Sequence, residues 1–148
     1  MHIPDIPESF DQYWFKVQAY EKNYDGDTIT LTVDLGCDVS LKMRIRLYDL
    51  DTPEVNRTEQ REAGLVAQRA AQEWLEHSLL ADETWVYSIK KEGFGRYLGH
   101  VYAIGQKDTL SEYMVRSGFG VAWEGHRHVW TPEELSAIVA KKDTLDER

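Results

Sequence analysis

The stretch DGDTITLTVDLGCDVSLKMRIRL, Asp25 to Leu47, carries the pattern that decides the fold. Ile29, Leu31, Val33 and Leu35 alternate with Thr28, Thr30, Thr32 and Asp34. After a break at LGCDVS, Leu41, Met43, Ile45 and Leu47 alternate with Lys42, Arg44, Arg46 and Tyr48. A period of two turns one side of each segment toward a core and the other toward water, so both are half-buried strands, the arms of a hairpin. Asp25-Gly26 in front of them is a turn signal, because glycine takes the positive φ that two-residue turns require. Asp27 is then surplus. Strand openings seldom favour aspartate, so it is either a solvated turn residue or a ligand awaiting partners from elsewhere in the chain.

Outward from this hairpin, Phe10 to Tyr20 is aromatic and mixed and reads as a first strand, preceded by a flexible arm over residues 1–9. The second hairpin arm ends at DLDTPE, where Pro53 removes a ladder donor and keeps Thr52 extended. From about Glu59 to Leu80, the residues Ala63, Ala67, Ala70, Ala71, Trp74 and Leu75 fall on one face of a helix. TWVYSIK and YLGHVYAI are two further strands around the glycine-marked loop KEGFGR. Thr109 with Glu112, and Thr131 with Pro132 and Glu134, mark helix starts through capping boxes. Strands in meander, a helix, a closing hairpin and then more helix is the order of an α+β OB-fold: a five-stranded Greek-key barrel with three helices. Ubiquitin-like and SH3-like folds share parts of that order.

With 148 residues, 42% apolar and 11% aromatic, the chain is sized for one domain spanning residues 1–148. A net charge of -9 argues against coating nucleic acid through bulk electrostatics, so any polyanion must be gripped by a local cluster helped by a bound cation. The single cysteine, Cys37, excludes an internal disulfide framework, fits a reducing compartment and reads as a small buried hydrophobe. The start MHIPDIPESFDQYW lacks a basic n-region and an apolar h-region, and no run approaches the roughly 18 apolar residues of a membrane span. The expectation is a soluble cytoplasmic protein, monomeric, with no membrane partner.

Three stretches carry groups that their local structure does not need: DGDT (25–28), RLYDLDTPE (46–54) and GFGR (93–96). Asp27 and Asp51 are hard oxygen ligands of the kind Ca²⁺ or Mg²⁺ takes, and the lack of a Cys or His cluster argues against zinc. Arg46 and Arg96 offer guanidinium forks matching two phosphate oxygens. Glu54 is placed either to accept a proton from a water in line with phosphorus or to serve as a first-turn helix acid.

Taken together, DGDT, the R-x-x-x-x-DTPE run, the G-R-x-L-x-x-V-Y strand and the LSEYMVRSGFG helix resemble the thermonuclease, or staphylococcal-nuclease-like, family of Ca²⁺-dependent phosphodiesterases built on an OB-fold. The resemblance covers about Val17 to Val121. It implies that Asp27, Asp51 and the Thr52 carbonyl bind Ca²⁺, and that Glu54 activates or orients the attacking water. It also implies that Arg46 and Arg96 grip the scissile phosphate, with Arg96 assisting the departing 5′ oxygen. The implied activity is cleavage of DNA or RNA, preferably unpaired, leaving 3′-phosphates. Glu92, Gly93 and Phe94 depart from the family's residues before the Gly-Arg pair. Phe94 keeps a stacking ring without a hydroxyl, and Val55 to Ala63 is shorter and poorer in lysine than in secreted relatives. VAWEGHRHVW (121–130) lies where the family's members place aromatic residues beside the nucleotide, which implies either that Trp123 stacks a base and His126, Arg127 and His128 meet backbone phosphates, or that the aromatics pack beside a helix start. The rival expectations are a module that kept the barrel and lost the chemistry, and an enzyme for small phosphodiesters.

Overall fold

The computed structural model describes residues 13–81, 84–92 and 95–146. The expected arm over residues 1–9 and Phe94 lie outside them. Five strands run in order: β1 (Tyr13–Asn23), β2 (Thr28–Gly36), β3 (Val39–Leu47), β4 (Thr84–Lys91) and β5 (Tyr97–Ala103). They close into a barrel in the order β1-β2-β3-β5-β4. All pairings are antiparallel except β3 with β5, which is parallel and sets Arg46 opposite Leu98. Register shifts at Val17/Ala19 and Tyr20/Lys22 bend β1 so that it pairs with β2 along one edge and β4 along the other.

The alternation expected from the sequence holds where the barrel is filled. Ile29, Leu31 and Val33 of β2 and Met43, Ile45 and Leu47 of β3 are buried. It fails at the hairpin tip. Leu35 and Leu41, expected to face inward, are 41% and 36% exposed, because the hairpin runs on past the filled interior. Cys37 is likewise exposed rather than a buried hydrophobe. It shares with Asp38 the two central turn positions, at φ 53° and 64°, the positive values a two-residue hairpin turn demands. The Asp25-Gly26 turn is the converse case: Gly26 does not adopt a positive φ.

Helix α1 (Arg61–Leu80) lies against the barrel through Ala63, Ala67, Ala70 and Ala71, whose small side chains let the backbone approach the strands closely. Helices α2 (Leu110–Arg116) and α3 (Pro132–Val139) start at the two expected capping boxes, on Thr109 and Thr131. A final turn of helix, α4 (Lys142–Asp146), follows. Leu110, Met114, Ile138 and Leu145 join the core that fills the barrel. No helix among the described residues is long and apolar enough to cross a membrane.

His100 of β5 packs edge-on against Tyr48 at 5.1 Å and Tyr102 at 5.9 Å, its Nδ1 buried without a partner among the described residues. Burial lowers its pKa, against the opposing charges of Glu112 and Asp49. An unfolded imidazole takes up its proton near pH 6.5, whereas this one stays neutral further down. Between those points the unfolded state binds more protons, so the contribution of His100 to stability is lost as pH falls. His100→Phe is therefore expected to flatten the loss of stability between about pH 7 and pH 5 in urea denaturation. Parallel wild-type and variant curves would show that the imidazole is not held neutral.

Candidate active site

Asp27 is the last residue before β2, and its carbonyl accepts the Leu47 amide at 2.8 Å, fastening the end of β3 beside it. Its side chain is buried. Oδ2 accepts the Thr52 amide at 3.0 Å and faces the Arg46 guanidinium at 3.5 Å. Asp51, also buried, arrives from the segment after β3. That segment is pinned by an isolated two-bond bridge, Asp51 N–H to the Val121 carbonyl at 2.8 Å and Val121 N–H to the Asp51 carbonyl at 2.9 Å. Oδ2 of Asp51 accepts the His128 amide at 2.6 Å.

Asp25 shapes the turn as expected, its Oδ1 accepting the amides of Asp27 at 3.2 Å and Thr28 at 3.0 Å. Burial, followed by the charge of Asp27, pushes its carboxyl up to about 8. Burial also raises Asp51; Asp27 adds to the rise, and the His128 amide, Arg46 and Arg127 oppose it. Two of the three acids in this corner are thus driven toward protonation, chiefly by burial. Oγ1 of Thr52 is buried there with no partner among the described residues. An all-oxygen donor set of this kind fits a hard divalent cation. The residues available to hold it are Asp27, Asp51 and the Thr52 carbonyl. No set of three or more His, Cys, Asp or Glu side chains stands at ligand spacing among the described residues. Waters or substrate oxygens would complete a shell of about six to eight.

Arg46, besides Asp27 Oδ2, donates to the Leu47 carbonyl at 2.9 Å, and its guanidinium lies 5.6 Å from the centre of the Trp123 ring. Both residues line a cleft of about 420 Å³ with Lys90, Glu92, Arg96 and Arg127. Arg96 is there paired with Glu92 at 3.0 Å. Glu54 lines an adjoining cleft of about 310 Å³ with Asp51, Arg57, Arg127 and His128. Its Oε2 takes the Arg57 Nε at 2.5 Å, and its Oε1 takes a hydrogen bond from Arg127. Because α1 begins only at Arg61, Glu54 is a loop residue and not a first-turn helix acid.

The predicted residues thus fall into three groups. Asp27, Thr52 and Arg46 are in direct contact, with Asp51 in electrostatic reach; Arg96 and Trp123 share the Arg46 cleft; Glu54 stands next door. A larger cleft of about 630 Å³, lined by Glu73, Trp74, His77 and Tyr113 among others, contains none of them. Buried Asp51 and the guanidinium groups line the smaller pair, with buried Asp27 in contact with Thr52 and Arg46 on their walls, and this pair is the candidate site.

Sequence reasoning missed the scaffolding of the site. Asn23 and Gln68 exchange side-chain to backbone bonds, Nδ2 of Asn23 to the Gln68 carbonyl at 2.8 Å and Nε2 of Gln68 to the Asn23 carbonyl at 2.6 Å, fastening the turn to α1. Gln60, the N-cap of α1, leaves the helix uncapped and accepts the Glu54 amide at 2.9 Å instead. Gly26 is glycine for room, since a Cβ there would stand 2.9 Å from Thr52 Cγ2 and 3.0 Å from Ala67 Cβ. A Cβ on Gly64 would meet the Pro53 carbonyl oxygen at 2.9 Å and the Val55 nitrogen at 3.0 Å. A glycine inside a helical pattern was the visible signal for that second contact.

A closed five-stranded barrel with a helix between β3 and β4 and two arginine-lined clefts at its edge defines a domain of OB topology. The chain belongs to the staphylococcal nuclease homologues, whose family model it matches over residues 44–143. No curated protein matches it. The matched region contains Arg46, Asp51, Thr52, Glu54, Arg96 and Trp123, whereas Asp27 precedes it and joins the site through its contacts with Thr52 and Arg46.

Gly64→Ala is expected to destabilise the protein by about 1–3 kcal/mol through overpacking against backbone, although alanine is the better helix former by about 1 kcal/mol. Urea denaturation measures the sign directly. Equal or higher stability would show that the 53–55 segment yields freely.

Proposed function

We propose that this protein is a Ca²⁺-dependent nuclease that hydrolyses phosphodiester bonds of DNA or RNA, prefers single strands and leaves 3′-phosphate ends. The observation that carries this reading is the convergence of buried Asp27 and Asp51 with Arg46, beside a cleft whose charge runs against that of the whole chain. Four cationic side chains, Arg46, Lys90, Arg96 and Arg127, line that cleft with two acids, Asp49 and Glu92. A chain of net charge -9 thus offers a locally positive seat for a polyanion.

When bound, Ca²⁺ would supply Lewis-acid polarisation of a phosphate oxygen and a lowered pKa for bound water. Arg46 and Arg96 present guanidinium forks to the non-bridging oxygens of one phosphate and stabilise the added charge of five-coordinate phosphorus. Glu54 accepts a proton from the attacking water as its oxygen bonds to phosphorus and the bond to the 5′ oxygen breaks. Arg96 donates a hydrogen bond to that departing oxygen, which takes its proton from solvent water. Trp123, which already stacks on Arg46, offers its ring face to a base and keeps water from that side of the cleft.

The second reading is a recognition module of the same fold without chemistry, and it draws support from the two guanidinium groups that occupy Glu54. Cleavage of a labelled single-stranded oligonucleotide with Ca²⁺, with chelator and with Glu54→Gln separates the two. A nuclease cuts only with the metal and loses about 10²–10⁴ in rate with the variant, the range for a general base. Binding of the strand without cutting would establish the module.

A further inference from the structure

We propose that Arg127 is gated by substrate: Glu54 holds it until a single strand arrives, and it then transfers to a phosphate of that strand and releases Glu54 Oε1 for the attacking water. The inference rests on the nuclease reading and adds to it a requirement for substrate length.

Placement singles out this arginine. Among the described residues lining the two clefts, Arg127 alone stands on the walls of both, the one containing Arg46, Arg96 and Trp123 and the one containing Glu54 and Asp51. The amide of the next residue, His128, is bonded to Asp51 Oδ2 at 2.6 Å, so the backbone is anchored and the side chain pivots from a fixed point. The two partners of the ion pair differ in freedom. Arg127 is 60% exposed and Glu54 17%, so the arginine is the member that swings.

The exchange favours the phosphate. An ion pair whose arginine is largely in water is screened and contributes little. A phosphodiester presents two charged oxygens in the geometry that a guanidinium fork matches with paired charge-assisted bonds. Arg57 does not follow, because it lines only the Glu54 cleft and sits three residues from its partner in the same loop. It keeps Oε2 engaged and the carboxylate oriented. The vacated Oε1 is then the atom that takes the proton.

Arg46 and Arg96 occupy the scissile phosphate, so the phosphate that draws Arg127 away is a neighbouring one. A dinucleotide lacks that phosphate and leaves Glu54 held, whereas a longer strand brings its own release.

The test uses wild type, Arg127→Ala, Arg127→Lys and Arg57→Ala. Binding of a labelled single-stranded oligonucleotide is followed against salt in chelator, and cleavage of that strand and of a dinucleotide is followed in Ca²⁺. Arg127→Ala is expected to lower the slope of log K against log salt by about 0.7, one single-strand phosphate contact. Arg127→Lys keeps part of that slope, and Arg57→Ala keeps it all. The preference in kcat/KM for the long strand over the dinucleotide should fall about tenfold in Arg127→Ala, the equivalent of one charge-assisted hydrogen bond. Wild-type cleavage with slope and length preference unchanged in Arg127→Ala would overturn the gate and leave the nuclease reading standing. A lowered slope without any cleavage by wild type would sink the nuclease reading, and the release of Glu54 with it.

Discussion

One buried hydrogen bond, from the Thr52 amide to Oδ2 of Asp27, joins the turn before β2 to the loop after β3, and the site is arranged around it. A carboxylate taken out of water must be matched by donors, because an ion left uncompensated in the interior costs several kcal/mol. Asp27 meets that demand with the Thr52 amide, the Thr28 hydroxyl and the Arg46 guanidinium, so the loop must lie against the turn and Arg46 must reach it from β3. The glycines follow from this closeness. With side chains at positions 26 and 64, neither the turn nor α1 could approach the 52–55 segment as they do. Gln60 gives up its capping role for the same end.

What the sequence displayed and what it concealed divide by range. The strands were legible in Ile29, Leu31, Val33, Met43, Ile45 and Leu47 because a period of two is a local property of a half-buried strand. The two capping boxes were legible for the same reason. Leu35, Leu41 and Cys37 misled, since alternation says which side a residue faces and not whether core remains at that height of the barrel. Gly26 was read as a turn residue when its neighbours Thr52 and Ala67, distant in sequence, set its identity. The grouping of Asp27, Arg46, Asp51 and Thr52 was legible through motif resemblance. The hold of Arg127 on Glu54 was not, because it joins residues far apart in sequence, brought together where the His128 amide meets Asp51, which no local pattern announces.

The acidity of the chain and the positive lining of its cleft are compatible because charge is sorted by place. Glu92 is paired with Arg96 and Glu54 with two arginines, while Asp27 and Asp51 are buried beside the half-buried Asp25.

The hairpin tip has a practical meaning of its own. Cys37 is the sole thiol of the chain, and it sits exposed in a tight turn at one end of β2, with Asp27 just beyond the other end. Nine residues of strand separate them, a span of about 30 Å at the rise of an extended chain. A fluorophore attached there would ride on a rigid lever in the range where energy transfer is most sensitive to distance. It would report distance changes at the Asp27 end of the barrel without touching Asp27, Arg46 or Thr52.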